Sequence, residues 1–122
     1  MGRVLVVEDD QAICDLITET LAAAALEARC VATDRDAYAL LAEPPEFDAL
    51  ILDINLGRGT TGYDIARFAR QGEPGLPVIY VSGEASQASF AVFGVPGSLF
   101  VAKPFKPDEL LAAVRSRLAA PE

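Results

Sequence analysis

Short, continuous apolar runs alternate with segments of helical periodicity, and this alternation restricts the possible folds more than any other feature of the sequence. The clearest apolar runs cover residues 4–7, 49–52, 78–81 and 99–102, with a weaker one at 28–32. Continuous runs without polar alternation are typical of strands covered on both faces, as in a parallel sheet. The runs therefore predict five buried parallel strands.

The intervening segments have the spacing of amphipathic helices. Apolar residues recur at helical intervals in four of them, over residues 11–25, 35–42, 63–70 and 107–118. A fifth segment, residues 84–93, carries serines and leads into glycines and a proline, so its helix is predicted to be short or loosely held. Strand–helix alternation of this kind predicts a doubly wound α/β sandwich of three layers.

The composition narrows the class of function. The 122 residues predict a single domain over 1–122, and a net charge of −8 argues against nucleic acid as a ligand. The apolar runs are too short to cross a membrane and no secretory segment precedes the first strand, so we expect a cytoplasmic protein. Histidine is absent, which excludes histidine-dependent triads, imidazole bases and His-containing zinc sites. Cys14 and Cys30 lack a CxxC pattern and are expected to be two reduced, buried thiols.

Polar side chains follow four of the predicted strands. Because the carboxyl ends of parallel strands meet at one edge of the sheet, we expect these side chains to converge there. Four of them also have a structural alternative: a helix cap for Asp10 or Asp53, a turn hydroxyl for Ser82 and a surface ammonium for Lys103. The cap is disfavoured for Asp53, because Ile54 and Asn55 do not open a helix. The converging residues are Glu8, Asp9 and Asp10 after the first run, Asp53 and Asn55 after the third, Ser82 after the fourth and Lys103 after the fifth.

The acids at this edge require a compensating positive charge. Carboxylates about 4 Å apart repel by roughly 4 kcal/mol at an effective dielectric near 20. A divalent cation or a lysine ammonium among Glu8, Asp9 and Asp53 would offset the repulsion, and an all-oxygen site with room for water favours Mg²⁺ (or Mn²⁺). The arrangement predicts phosphoryl transfer to a carboxylate, with Lys103 and Ser82 holding phosphoryl oxygens.

The glycine cluster LGRGTTG, residues 56–62, has the GxxxxG skeleton of a P-loop. It continues with Tyr63-Asp64 where a P-loop requires lysine and a hydroxyl residue, and it follows the third strand rather than the first. We therefore expect a flexible loop beside the site and not a nucleotide site.

With these residues in place, the chain resembles the receiver domains of bacterial two-component response regulators, in particular the single-domain chemotaxis type. The matching stretches are VLVVEDD, ALILDINL, VIYVSGEA and FVAKPFKPDEL, in that order. The resemblance implies a flavodoxin-like (βα)5 fold. The chain departs from the family at two places. Gly57 stands where a proline is usual, and the loop that leads to Gly62 is one residue longer than usual.

The resemblance assigns a role to each site residue. It makes Asp53 the phosphoacceptor, Asp9 and Asp53 direct Mg²⁺ ligands, Glu8 a ligand through water and the Asn55 carbonyl a further ligand. Ser82 becomes the switch hydroxyl that turns toward the phosphate, and Lys103 becomes the ion-pairing partner of that phosphate. The Lys103-Pro104 bond is expected to be cis. Phe100 matches the switch aromatic, without the hydroxyl that many relatives have. Asn55 and Glu84 are similar to the positions in chemotaxis receivers that accompany rapid loss of phosphate.

The function that the resemblance implies is that of a phosphorelay signalling protein, which is no enzyme beyond its own phosphorylation and dephosphorylation. The donor would be a phosphohistidine of a sensor histidine kinase or a histidine phosphotransferase. An aspartyl phosphate at Asp53 would then reshape the face of the fourth helix, fifth strand and fifth helix for an unidentified downstream protein. We expect a monomer or weak dimer that acts as a stand-alone receiver.

Three other interpretations remain open from the sequence. A pseudo-receiver would use the fold for constitutive protein binding, although Glu8, Asp9, Asp53, Ser82 and Lys103 are all present. The chain could equally be the receiver fragment of a hybrid histidine kinase. The third is a flavodoxin-like cofactor carrier or a small phosphatase with the same topology. The flavin version is disfavoured, because acids at the strand ends repel a flavin phosphate and tryptophan is absent.

Overall fold

Five parallel strands form one sheet in the order β2-β1-β3-β4-β5. The structure, a computed structural model, describes residues 2–43, 46–56 and 61–118. All five strands predicted from the apolar runs are present. The first two begin one residue earlier than predicted, and the other three begin at the predicted residue. The five strands are β1 (Arg3–Val7), β2 (Glu27–Val31), β3 (Ala49–Leu52), β4 (Val78–Gly83) and β5 (Leu99–Lys103).

Five α-helices connect and cover the strands, as the periodicity predicts. A short 3-10 helix, Glu84–Ser86, precedes the fourth of them. In the part of the chain that the structure describes, no helix combines the length and apolarity needed to cross a bilayer. The helices are α1 (Gln11–Ala23), α2 (Asp34–Leu41), α3 (Gly62–Gly72), α4 (Gln87–Phe93) and α5 (Pro107–Leu118).

The sheet separates two apolar cores, which is the layering of a doubly wound fold. Leu5 and Val7 of β1 pack with α2 and α3 on one face, whereas Val4 and Val6 pack with α1 and α5 on the other. All four side chains are fully buried. Alternate residues of the same strand therefore enter opposite cores, which explains why the strands are continuously apolar.

The helix ends follow local capping chemistry. Asp10 Oδ1 accepts hydrogen bonds from the backbone N–H groups of Ala12 and Ile13, so the prediction of Asp10 as a helix cap is confirmed. Helix α1 ends at Ala23, two residues before the predicted end, and Ala25 adopts the left-handed region at φ 62°. The left-handed turn breaks the helix before the chain enters β2.

Two predictions about local structure have opposite outcomes. Helix α4 contains no buried residue among those described, which agrees with the predicted short and loosely held element. The expectation of two separate thiols is wrong, because Cys14 of α1 and Cys30 of β2 form a disulfide. Their Cα atoms lie 6.2 Å apart, within the range that a disulfide spans. The sequence has no pattern that reveals this proximity.

Candidate functional site

The first strand and the third lie side by side at the point where the strand order reverses. The chain moves from β1 outward to β2 on one side and then returns to β3 on the other. In open α/β sheets, ligands bind at the carboxyl ends of the strands at such a reversal. Glu8 follows β1 here and Asp53 follows β3, and both side chains are buried.

Lys103, the last residue of β5, bridges these two acids. Its Nζ lies 2.6 Å from Glu8 Oε1 and 3.1 Å from Asp53 Oδ2. The remaining oxygens accept backbone hydrogen bonds, Glu8 Oε2 from the Asp10 N–H at 3.2 Å and Asp53 Oδ1 from the Asn55 N–H at 3.1 Å. The ammonium predicted from the sequence to lie among the acids is therefore supplied by β5, and Lys103 is not a freely solvated surface lysine.

Burial and the neighbouring charges together set the pKa values of Glu8 and Lys103. The pKa of Glu8 is raised from 4.5 to about 7, because burial, the largest cause, and the nearby charge of Asp53 together outweigh the lowering effect of contact with Lys103. Burial alone would lower the pKa of Lys103, but its contacts with Glu8 and Asp53 outweigh burial and raise that pKa overall. The lysine therefore stays charged at neutral pH, whereas Glu8 exchanges its proton near neutrality.

Asp9 completes a group of three carboxylates. Glu8, Asp9 and Asp53 each offer an oxygen within 4.8 Å of the other two, and Asp9 is exposed whereas its two neighbours are buried. With all three ionised, the Lys103 ammonium leaves two negative charges uncompensated, which a divalent cation would neutralise. The donors are all oxygens, so the residues present fit a hard cation such as Mg²⁺.

Ser82 is buried near the end of β4, and the acceptor of its hydroxyl proton is another serine. Ser82 Oγ donates a hydrogen bond to Ser86 Oγ at 3.3 Å, and Ser86 Oγ also accepts one from Asn55 Nδ2 at 3.2 Å. Sequence reasoning missed Ser86 as a site residue, because it considered the serines of this segment only as helix-weakening residues. Its position four residues after Ser82 is the one signal that the sequence offers.

Aromatic rings connect Phe100 of β5 to the weakly packed helix α4. The Phe100 ring centroid lies 5.4 Å from that of Phe90, and Phe90 lies 5.7 Å from Tyr80. Tyr80 also contacts Tyr63 of α3 at 5.2 Å between centroids, and the Tyr63 ring lies 5.8 Å from that of Phe93. Phe100 is half-buried, and its contact with Phe90 already packs it against α4.

Other predictions at this edge have mixed outcomes. The Lys103-Pro104 bond is cis, as expected. Residues 57–60 of the glycine loop, including Gly57, lie outside the described residues, so the predicted flexibility of that loop stays a prediction. At its end, Thr61 and Asp64 form a reciprocal capping box on α3. Glu84 is exposed in the 3-10 helix.

Comparisons with known proteins agree with this geometry. The model of the protein family "Response regulator receiver domain" matches residues 4–115 of the chain. The chain is 30% identical over 118 residues to the DNA-binding response regulator MtrA of Mycolicibacterium smegmatis, covering 95% of this chain and 50% of MtrA. It is 33% identical to the regulatory protein VirG of Agrobacterium tumefaciens, covering 97% of this chain and 44% of VirG.

The solved structures include a response regulator receiver protein from Sinorhizobium medicae. It superposes with a TM-score of 0.94 at 30% identity and covers 99% of this chain and 97% of that one. The chain spans about half the length of the curated relatives that it matches. The family match covers most of the chain, and the five-stranded parallel sheet with five helices agrees with it. The chain therefore belongs to the response regulator receiver domain family of two-component systems.

Proposed function

We propose that the chain accepts a phosphoryl group on Asp53 from a phosphohistidine of a partner protein, a sensor histidine kinase or a histidine phosphotransferase. The observation that carries the proposal is the buried Asp53 carboxylate, with the Lys103 ammonium 3.1 Å from Oδ2 and two further acids beside it. Within the chain no histidine is available as a donor, so the phosphoryl group must come from another molecule.

The proposed transfer is an in-line displacement at phosphorus. An oxygen of Asp53 forms the new bond to phosphorus while the bond to the donor imidazole nitrogen breaks, and the electron pair of that bond returns to the nitrogen. Lys103 holds a phosphoryl oxygen by its charge, and Ser82 donates its hydroxyl proton to another oxygen after turning toward Asp53. Water later attacks the phosphorus of the acyl phosphate, the bond to the Asp53 oxygen breaks, and inorganic phosphate leaves as the carboxylate is regenerated.

Glu8, Asp9 and Asp53, with the Asn55 carbonyl, are the residues that would hold Mg²⁺. The bound ion would supply positive charge that neutralises the acids and the phosphoryl oxygens. The oxygen-only donor set, and the presence of three acids against a single ammonium, support this assignment. Mn²⁺ prefers the same ligands and would substitute for it.

An apolar surface beside Lys103 supports a protein donor. Ile13 and Leu16 of α1 and Pro104 and Phe105 after β5 line, with Lys103, a shallow cavity of about 310 Å³. Leu16 is exposed, although it is a large apolar residue. A protein that presents a phosphohistidine to Asp53 would cover this surface, whereas a small phosphodonor would not need it.

The proposed output is a change in the face formed by α4, β5 and α5. Val92 and Phe93 of α4 are 72% and 54% exposed, so little packing energy holds this helix in place. Inward rotation of Ser82 would make space for Phe100, and the contact of Phe100 with Phe90 would pass its displacement to α4. A downstream protein would then bind the altered face.

The proposal is tested by mass spectrometry after incubation with acetyl phosphate, with and without Mg²⁺. We expect an adduct of roughly 80 Da that requires both Mg²⁺ and Asp53. Asp53→Asn should abolish it, and Asp15→Asn, at an exposed position of α1, should not. If neither acetyl phosphate nor a phosphorylated histidine kinase labels the native chain, the phosphoacceptor function is wrong and a binding-only receiver replaces it.

A further inference from the structure

Ser86 occupies a buried position between two polar residues of the proposed phosphorylation site. It ends the 3-10 helix Glu84–Ser86, and only 9% of its surface is exposed. Its Oγ accepts hydrogen bonds from Asn55 Nδ2 at 3.2 Å and from Ser82 Oγ at 3.3 Å. One hydroxyl therefore connects the loop after β3 with the end of β4.

While Ser82 is hydrogen-bonded to Ser86, its hydroxyl cannot donate to any other acceptor. A hydroxyl has one proton to donate, and Ser82 donates its proton to Ser86. Ser82 therefore has no proton left for an oxygen at Asp53 while this bond exists. The hydroxyl that the proposed transfer requires must first leave Ser86.

Asn55 fixes the orientation of Ser86 in this contact. Its amide donates to one lone pair of Ser86 Oγ, and its backbone N–H donates to Asp53 Oδ1 at 3.1 Å. A serine oxygen accepts two hydrogen bonds, so the second lone pair of Ser86 is the one that receives Ser82. The acceptor for Ser82 is thus held by a residue that itself contacts Asp53.

Ser86 is also anchored from the side of α4. The carbonyl oxygen of Ser86 accepts a hydrogen bond from Ser89 Oγ at 2.9 Å, and Ser89 Oγ lies 2.7 Å from the hydroxyl of Tyr63 in α3. Both side chain and backbone of Ser86 are therefore engaged. A side chain held on several sides loses little further entropy when it binds Ser82.

We propose that Ser86 is a positioning residue that holds the Ser82 hydroxyl away from Asp53 in the unphosphorylated protein and so slows phosphorylation. This inference rests on the phosphoacceptor function proposed above. Loss of the Ser86 hydroxyl leaves the buried proton of Ser82 without this acceptor, and the oxygens at Asp53 become its alternative partners. Ser82 would then spend more time in the orientation that assists transfer.

The test is a double-mutant cycle between Ser86→Ala and Ser82→Ala, with the rate of adduct formation from acetyl phosphate as the readout. We expect Ser86→Ala to accelerate labelling about fivefold, which is what one ordinary hydrogen bond is worth. In the Ser82→Ala background the same change should leave the rate within about twofold, because the hydroxyl that Ser86 restrains is gone. Ser116→Ala, on an exposed part of α5, is the control.

Each result of the cycle is decisive. Ser86→Ala labelling no faster than the native chain, or an equal acceleration in both backgrounds, would overturn the inference while leaving Asp53 as acceptor. A native chain that gains no adduct from acetyl phosphate or from a phosphorylated histidine kinase would instead overturn the phosphoacceptor function, and with it this inference. Thermal unfolding of every variant ensures that the rates are compared for folded protein.

Discussion

The buried carboxyl of Glu8 predicts an unusual pH dependence of stability in the metal-free protein. Burial raises its folded-state pKa to about 7, against an ordinary value of 4.5 in the unfolded chain. Between these values the folded protein binds more protons than the unfolded chain, so the free energy of unfolding falls as pH rises. The contribution is fully present below about pH 4.5 and is lost as pH passes about 7.

The size of the effect follows from the two pKa values. Because each tenfold change in proton affinity corresponds to about 1.4 kcal/mol, the interval between them is worth about 3 kcal/mol. No histidine is present to titrate in the same interval. Lys103 does not titrate in this interval either, because its pKa is raised above an ordinary value that already lies far above neutrality. A slope in this region therefore reports mainly on Glu8.

The assay is urea unfolding followed by circular dichroism from about pH 5 to about pH 8, with divalent cations chelated. The native chain should lose about 3 kcal/mol across the range, and Glu8→Gln should lose much less because its amide does not titrate. Glu19→Gln, at an exposed position of α1, should behave like the native chain. A native profile that is flat, or that rises with pH, would refute the assignment of a buried, high-pKa carboxyl to Glu8.

Three further substitutions test particular contacts. Gly62→Ala places a Cβ against the Asp53 carbonyl oxygen and 3.0 Å from the Ile54 Cα, so we expect the free energy of unfolding in urea to fall by about 1–3 kcal/mol. Gly72→Ala, whose Cβ meets nothing within 4 Å, is the control and should be neutral or stabilising. Lys103→Met leaves the buried acids without their ammonium and should lower the free energy of unfolding by about 3 kcal/mol at neutral pH. The loss should be smaller near pH 5, where the Glu8 carboxyl is protonated, and equal losses at both pH values would contradict this. Ala25→Gly relieves a residue at φ 62° and should raise stability by up to about 1 kcal/mol, as measured by the urea midpoint.

Much of the fold was predictable because strong local signals agreed with the global arrangement. The apolar run at 49–52 coincides with β3, and the acid that closes it lies at the carboxyl edge, where parallel strands bring their ends together. Lys103 could be assigned to the same edge for the same reason, although it comes 50 residues after Asp53. Convergence of strand ends depends only on topology, which the strand–helix alternation already predicts.

The features that sequence reasoning missed depend on side-chain orientation in irregular segments. The hydroxyl of Ser82 bonds to Ser86 because a 3-10 turn follows β4 and brings a second serine within reach, and no periodicity encodes that turn. The bond between Cys14 and Cys30 likewise depends on how α1 packs on β2. Helix α1 ends early because Ala25 adopts a left-handed conformation, which favours glycine or asparagine and is not signalled by alanine.

Reduction of the phosphorylated protein with borohydride, followed by peptide sequencing in a mass spectrometer, tests the central claim most directly. Borohydride converts the carbonyl carbon of an acyl phosphate to an alcohol, so it marks the residue that carried the phosphoryl group. We predict homoserine at position 53 after treatment with acetyl phosphate and Mg²⁺, and unmodified side chains at Glu8 and Asp9. Reduction at Glu8 or Asp9, with Asp53 intact, would contradict the account of Asp53 as the acceptor.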